Sequence, residues 1–177
     1  MVRFLMPSSI LHSPSSFAII ALGSNLGDSP GIIRDAMARL QNVSDRPLLK
    51  SSLWQTLPVD CPPGSPKFVN AVVGLVPRKG ETPESLLKKL QEVENEYGRS
   101  RGHILNEPRS LDLDLIAFGA ETRISADLIL PHPRAQVRRF VLQPLSEIAP
   151  DLILPGQRKT VLQMLTDLPS GEAITRL

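Results

Sequence analysis

The sequence predicts an α+β domain: an antiparallel sheet with helices packed on it and extra helices toward the C-terminal end. Two observations carry this prediction. Apolar runs of strand length and amphipathic stretches of helix length follow one another in the order β-α-β-β-α-β, the split βαβ order of ferredoxin-like domains. Proline occupies 17 of the 177 positions, roughly twice its usual ~5% share, which indicates short elements joined by fixed turns.

The first half of the chain contains a buried strand, a helix and a second strand. Phe17–Leu22 is a continuous apolar run and predicts a strand covered on both faces. Ser29 and Pro30 supply a cap and a first turn for an amphipathic helix that extends to Val43. Arg46–Leu57 predicts the second strand.

The second half of the chain continues the same alternation. Phe68–Val76 predicts a strand, and Thr82 with its following proline caps an amphipathic helix. Leu111–Phe118 predicts the next strand. Helices are expected at Ala135–Glu147 and Thr160–Thr166, and these are the extra C-terminal helices of the fold.

Composition limits both domain organisation and function. We expect a disordered N-terminal extension at 1–16, a single domain at 17–168 and a C-terminal tail at 169–177. A net charge of +2 argues against nucleic acid as a partner, and no apolar run approaches the ~18 residues of a membrane helix. Cys61 is the single cysteine, which fits a reducing compartment and predicts a cytoplasmic location.

The most informative segment is Ser110–Ile116, where leucines alternate with aspartates. Asp112 and Asp114 fall on the same face of the predicted strand, with Cα atoms ~7 Å apart. Like charges this close disfavour joint ionisation unless a cation lies between them, and Mg²⁺ takes carboxylate oxygens as ligands. The alternative is a solvated face of an amphipathic strand, which the presence of Ile116 on the same face disfavours.

Basic residues flank the aspartate pair in the sequence. Arg99, Arg101 and Arg109 precede it, and Arg138 follows near His132. Guanidinium groups match the geometry of phosphate oxygens, so metal carboxylates beside arginines indicate a phosphoryl-transfer site. Glu94 lies at the apolar edge of its helix, where a satisfied boundary carboxylate is the more frequent explanation.

These segments resemble the 6-hydroxymethyl-7,8-dihydropterin pyrophosphokinase family of folate biosynthesis. The resemblance spans roughly residues 18–165. Its strongest motif is EPRSLDLDLIAFG at Glu107–Gly119, and AIIALGSNLGD, FVNAVV, EYGRSRG and LPHPRAQVRRFVLQPLSEIAPDL support it in the expected places. The family resemblance implies transfer of pyrophosphate from ATP to the pterin hydroxymethyl group with release of AMP, by a monomer whose substrates are small molecules.

The resemblance also implies roles for individual residues. Asp112 and Asp114 would bind two Mg²⁺ ions and, with Arg101 and Arg109, form the catalytic group. The ATP site would comprise Leu87, Glu94, Arg99, Arg101, Arg109, Leu115, His132 and Arg138. The pterin site would comprise Gly23, Thr56, Val59, Phe68, Asn70, Asp112 and Phe140. Where many members carry Trp-Gly, this chain has Asn106-Glu107.

Two rival functions are open to the residues alone. The D-x-D at Asp112–Asp114 also occurs in nucleotide-sugar glycosyltransferases, although the short chain and the downstream His-Pro-Arg segment argue against that class. A ferredoxin-like RNA-binding module is the second rival, and the aromatic content of 4% offers little stacking surface for it.

Overall fold

The computed structural model describes residues 17–58, 63–98, 109–171 and 173–177. Within these ranges the chain forms eight strands and four α-helices, and a short 3₁₀ turn precedes the third helix. The elements are β1 (Ala18–Ser24), α1 (Ser29–Gln41), β2 (Leu49–Lys50), β3 (Trp54–Thr56), β4 (Phe68–Leu75), α2 (Pro83–Glu96), β5 (Asp112–Phe118), β6 (Arg123–Ile124), β7 (Ile129–Leu130), α3 (Arg139–Ile148), α4 (Val161–Asp167) and β8 (Ile174–Arg176).

The main sheet is antiparallel and has the order β5-β1-β4-β3-β8, with β2 also paired to β4. The predicted ferredoxin-like α+β fold is confirmed, because the element order β-α-β-β-α-β is present with its second strand divided into β2 and β3. The residues expected as a C-terminal tail contribute to this sheet: β8 pairs with β3, Ile174 opposite Thr56.

β1 lies in the middle of the sheet and is covered on both faces, as its apolar run predicts. Ala18, Ile20 and Leu22 pack in the core beneath α1 and α2, on the side called here the α1 face. Ile19 and Ala21 pack in the core beneath α3 and α4, on the α3 face. Alternate side chains of one strand therefore anchor two helical layers.

The predicted strand at 46–57 is wrong as a single element. β2 pairs Lys50 with Val73, and β3 pairs Trp54 with Asn70. The chain advances four residues from Lys50 to Trp54, whereas the paired residues of β4, Val73 and Asn70, are only three apart. One extra residue therefore interrupts the pairing, as in a β-bulge. Ser51 lies in this interruption, where its amide donates to the Val72 carbonyl at 3.0 Å and its hydroxyl accepts from the Val72 amide at 2.9 Å.

Two helix starts differ from the prediction. α1 is capped by Asp28, whose carboxylate accepts from the Gly31 amide at 3.2 Å, while the predicted cap Ser29 is buried and accepts from the Ser24 hydroxyl at 2.9 Å. The helix expected at 135–147 is divided, because Arg138 is extended between the 3₁₀ turn and α3.

α2 begins as predicted. The Thr82 hydroxyl accepts from the Ser85 amide at 3.1 Å, and the Ser85 hydroxyl accepts from the Thr82 amide at 2.9 Å. This reciprocal capping box satisfies two amides that a helix start otherwise leaves unpaired.

We expect Thr82→Ala to lower the free energy of unfolding by about 1 kcal/mol, because it removes the capping hydroxyl. Urea unfolding followed by circular dichroism measures the change. Thr122→Ala, at an exposed position outside the helices, is the matched control and should stay within about 0.5 kcal/mol of the parent. Equal effects of the two changes would contradict the capping role.

Candidate active site

One row of residues crosses three strands at the end of the sheet. Gly23 in β1 lies opposite Asp112 in β5 on one side and opposite Asn70 in β4 on the other. Residues directly opposite in antiparallel strands share a face, so all three project from the α3 face. Asp114 lies opposite Ala21 on the same face. The sheet register therefore brings the carboxylate pair and the Asn70 amide to one place.

Gly23 leaves open space in the middle of this row. A Cβ atom at Gly23 would lie 3.5 Å from Oδ1 of Asn70 and 4.0 Å from the Phe68 ring, which is ordinary van der Waals contact. Any side chain at this position would therefore occupy the space in front of Asn70 and Phe68. A glycine within a strand commonly marks such a site of close approach by a ligand.

The Asn70 amide is fixed by the neighbouring strand. Asn70 and Thr56 are both buried, and Nδ2 of Asn70 donates to the Thr56 hydroxyl at 2.9 Å. This bond orients the amide and holds its oxygen toward the Gly23 space. Phe68 lies opposite Thr56 at the start of β4, and Phe140 packs at the edge of the core on the α3 face.

Arg109 contacts Asp112, one carboxylate of the pair, directly. Its Nη1 lies 3.2 Å from Oδ2 of Asp112, and both side chains are partly exposed, at 25% and 21%. A guanidinium in this position balances one carboxylate, and its exposed part can also bind an anion.

Arg138 and His132 bring further positive charge to the same place. The Arg138 guanidinium lies 5.3 Å from the centre of the Phe140 ring, a cation–π distance. Burial and the charge of Arg134 lower the pKa of Arg138, whereas Asp114 and Asp112 oppose this shift. Among the described residues, Arg109, Arg134, Asp112 and Asp114 all act electrostatically on Arg138, so with Arg138 itself positive charge exceeds negative charge there.

His132 is held beside β5 as a neutral imidazole. Its amide donates to the Ile116 carbonyl at 2.8 Å, and its Nδ1 accepts from the Arg134 amide at 3.2 Å, so its proton lies on Nε2. Burial, followed by the charges of Arg138 and Arg134, lowers the pKa of His132. Nε2–H is consequently a neutral hydrogen-bond donor at neutral pH.

Glu94 is buried at 3% exposure and supports the edge strand. Its Oε1 accepts from the Leu113 amide at 2.7 Å, which joins α2 to β5 between the two aspartates. This bond supports the explanation that Glu94 is a hydrogen-bonded carboxylate at the apolar edge of its helix. Leu115 and Leu87 lie on the α1 face, in or against its core, rather than beside the carboxylates.

The structure thus brings together the predicted residues Gly23, Thr56, Phe68, Asn70, Arg109, Asp112, Asp114, His132, Arg138 and Phe140 on or around the α3 face. Three predicted residues, Val59, Arg99 and Arg101, lie outside the described residues, as does the Asn106-Glu107 departure. Sequence reasoning missed Asn25, which contacts Arg109; its signal was the Gly-Ser-Asn segment that directly follows a buried strand.

Comparisons with known proteins give a consistent result. The family model of 7,8-dihydro-6-hydroxymethylpterin-pyrophosphokinase (HPPK) matches residues 19–150. A 2-amino-4-hydroxy-6-hydroxymethyldihydropteridine pyrophosphokinase from Synechocystis sp. is 37% identical over 159 residues, covering 86% of this chain and 80% of the relative. The protein of that name from Bacillus subtilis is 39% identical over 135 residues, covering 76% and 78%. Wild-type HPPK-DHPS from Plasmodium falciparum has a similar fold, with a TM-score of 0.64 at 13% identity, covering 85% of this chain and 44% of that one.

A ferredoxin-like sheet with a carboxylate pair among arginines defines an enzyme of phosphoryl transfer. The chain belongs to the HPPK family, whose model covers most of its length. The predicted pyrophosphokinase function in folate biosynthesis is thereby confirmed, and the two rival classes are set aside. None of the helices in the described part of the chain has the length and apolar character that a membrane crossing needs.

We expect Thr56→Val to lower the free energy of unfolding by about 1–3 kcal/mol, because it leaves the buried Nδ2 of Asn70 without its acceptor. Urea unfolding measures the loss. The same substitution at the exposed Thr175 of β8 is the matched control and should change stability by less than about 0.5 kcal/mol. A loss no larger at Thr56 than at Thr175 would contradict the role of this bond.

We expect the stability of the folded protein to fall as the pH drops below about 6.5, in part because of His132. Since the folded state lowers the pKa of His132, the unfolded state binds a proton first, and protonation then favours unfolding. Melting temperatures of the parent and His132→Gln between about pH 5 and 8 measure this contribution. Parallel pH profiles for the two proteins would show that His132 contributes nothing.

Proposed function

We propose that the chain transfers pyrophosphate from ATP to 6-hydroxymethyl-7,8-dihydropterin in a Mg²⁺-dependent reaction that gives the pterin diphosphate and AMP. The observation that carries this proposal is the row of Asp112, Gly23 and Asn70 across three strands. It supplies carboxylates for a metal–triphosphate complex next to an open space with an oriented amide. The curated relatives carry pyrophosphokinase names that match this reaction.

The donor set suits Mg²⁺ shared with a substrate. Within the described ranges, no three His, Cys, Asp or Glu side chains form a metal-binding group. Mg²⁺ is commonly held by one or two carboxylates together with substrate phosphates, so Asp112 and Asp114 fit two ions that ATP helps to bind. Bound there, Mg²⁺ would neutralise phosphate charge and make the substrate hydroxyl more acidic.

The nucleotide would lie across the edge of the sheet. Arg109, Arg138 and His132 surround the carboxylates on the α3 face and would bind phosphate oxygens, with Arg99 and Arg101 contributing from the preceding segment. Leu87, Glu94 and Leu115 belong to α2 and β5, the two elements that the Glu94–Leu113 bond joins. We assign the nucleoside part of ATP to this α2–β5 edge.

The pterin would occupy the space in front of Gly23. The Asn70 amide can accept from and donate to the edge of the ring. Phe68 and Phe140 would stack on its faces, each contributing ~0.5–1.5 kcal/mol beyond burial. Backbone groups at Gly23, Thr56 and Val59 would complete the recognition of the ring, and Asp112 would lie next to its hydroxymethyl group.

The reaction requires alignment of the hydroxyl with the triphosphate. The pterin hydroxyl oxygen forms a bond to the β-phosphorus, the bond from that phosphorus to the α–β bridging oxygen breaks, and AMP departs with that oxygen. The hydroxyl proton is released to solvent. Arg101 and Arg109 stabilise the charge that develops toward AMP, which is the main contribution that a protein makes to phosphoryl transfer.

We further propose that the enzyme acts as a cytoplasmic monomer. The location is supported by the single cysteine of the sequence, which suits a reducing compartment, and the monomeric state is what the family resemblance implies. Gel filtration with light scattering at assay concentration tests the oligomeric state.

The activity is tested by a coupled assay for AMP with the pterin, ATP and Mg²⁺, each omitted in turn. AMP formation that needs all three components supports the proposal. Formation of ADP instead would indicate transfer of a single phosphoryl group. Absence of any nucleotide product in the complete mixture of pterin, ATP and Mg²⁺ would overturn the proposed function.

We expect Asp112→Asn to abolish AMP formation while the fold persists, because it removes one carboxylate from the metal-binding pair. Initial rates over a Mg²⁺ titration, with circular dichroism of the variant, measure both effects. Asp151→Asn, an exposed position after α3, makes the same charge change and should keep the parental rate. Retention by Asp112→Asn of more than about a tenth of the activity would contradict the metal assignment.

A further inference from the structure

Two hydrogen bonds join Asn25 to Arg109 just beyond the last paired residues of β1 and β5. The Asn25 amide donates to the Arg109 carbonyl at 3.1 Å. In the opposite direction, the Arg109 amide donates to Oδ1 of Asn25 at 2.8 Å. Asn25 is 3% exposed, so both bonds are shielded from competition by water.

Of the two polar atoms in the Asn25 side chain, only the oxygen forms a hydrogen bond with the described residues. Nδ2 of Asn25 is buried without a hydrogen-bond partner among the described residues, and so is Nε of Arg109. A buried donor left unpaired is destabilising. An amide at this position therefore stabilises the structure through its Oδ1 bond to the Arg109 backbone and not through Nδ2.

Arg109 needs such support because of what its side chain contacts. Its Nη1 lies 3.2 Å from Asp112, one of the proposed metal-binding carboxylates. Arg109 precedes β5 and is not itself part of the strand. Its backbone bonds to Asn25 thus extend the pairing of β1 with β5 as far as the residue that carries the guanidinium.

We propose that Asn25 is a positioning residue for Arg109: it fixes the backbone from which the guanidinium reaches Asp112 and the phosphates. This inference rests on the proposed function, in which Arg109 stabilises charge on the departing AMP. Displacement of a catalytic group by about 1 Å can cost ~100-fold in rate. The bonds of Asn25 go to Arg109, beside β5, whereas the Asn70–Thr56 bond lies across β4 and β3 on the other side of β1.

The test compares Asn25→Leu, Arg109→Ala and the double variant in the AMP assay. Asn25→Leu keeps the number and branching of the side-chain heavy atoms but removes the acceptor. We expect kcat to fall ~10–100-fold, while KM for the pterin stays within about twofold because Asn25 takes no part in the Asn70–Thr56 bond or in the contacts at Gly23. The double variant should be no slower than Arg109→Ala alone, since residues that act through one group are not additive.

Ser24→Ala is the local control. It removes the buried bond from Ser24 to Ser29 in the same turn, and we expect kcat near the parental value even if the melting temperature falls. Full kcat in Asn25→Leu, or independent losses that multiply in the double variant, would overturn the inference. Absence of AMP formation by the parent would instead refute the proposed function, so the two failures are distinguishable.

Discussion

The antiparallel register of β1 with its two neighbours is the constraint on which the site depends. Asp112, Gly23 and Asn70 come from three segments that are far apart in the sequence, and only the pairing of β1 with β5 and β4 aligns them. A shift of one residue would turn the aspartates into the apolar core. The burial of β1 on both faces makes such a shift costly, so the same packing that stabilises the fold also aligns the candidate active site.

Electrostatic balance at this site favours an anion accompanied by cations. Among the described residues, three arginines and two aspartates lie near one another, and burial, followed by the charges of neighbouring arginines, lowers the pKa of both His132 and Arg138. A bound polyphosphate would reverse this repulsion among the basic groups. The carboxylates would simultaneously need positive charge close to them. A metal–nucleotide complex satisfies both requirements, which neither component does alone.

The sequence predicted the structure correctly where the hydrophobic periodicity and the motif indicate the same element. The alternation in the segment from Asp112 to Phe118 predicted both the strand and the common face of the aspartates, and the structure has both. Local patterns did not predict the bulge between β2 and β3 or the strand β8, since each depends on a strand remote in the sequence. The α1 cap was wrong by one residue for a local reason, because Asp28 and Ser29 are adjacent residues that both favour capping and Ser29 is bonded to Ser24 instead. Asn25 was missed because its role depends on Arg109, which is remote in the sequence.

β8 has a consequence for the order in which the molecule is assembled. The strand that carries Thr56 pairs on its outer edge with residues 174–176, and the Leu177 amide donates to the Leu53 carbonyl at 2.9 Å. During synthesis from the N-terminus, the outer edge of β3 therefore stays unpaired until residues 174–176 have been made. The strand that carries Asp112 and Asp114, by contrast, has its partner β1 available as soon as it is made. A nascent chain would therefore complete the aspartate edge of the sheet before the edge next to Thr56.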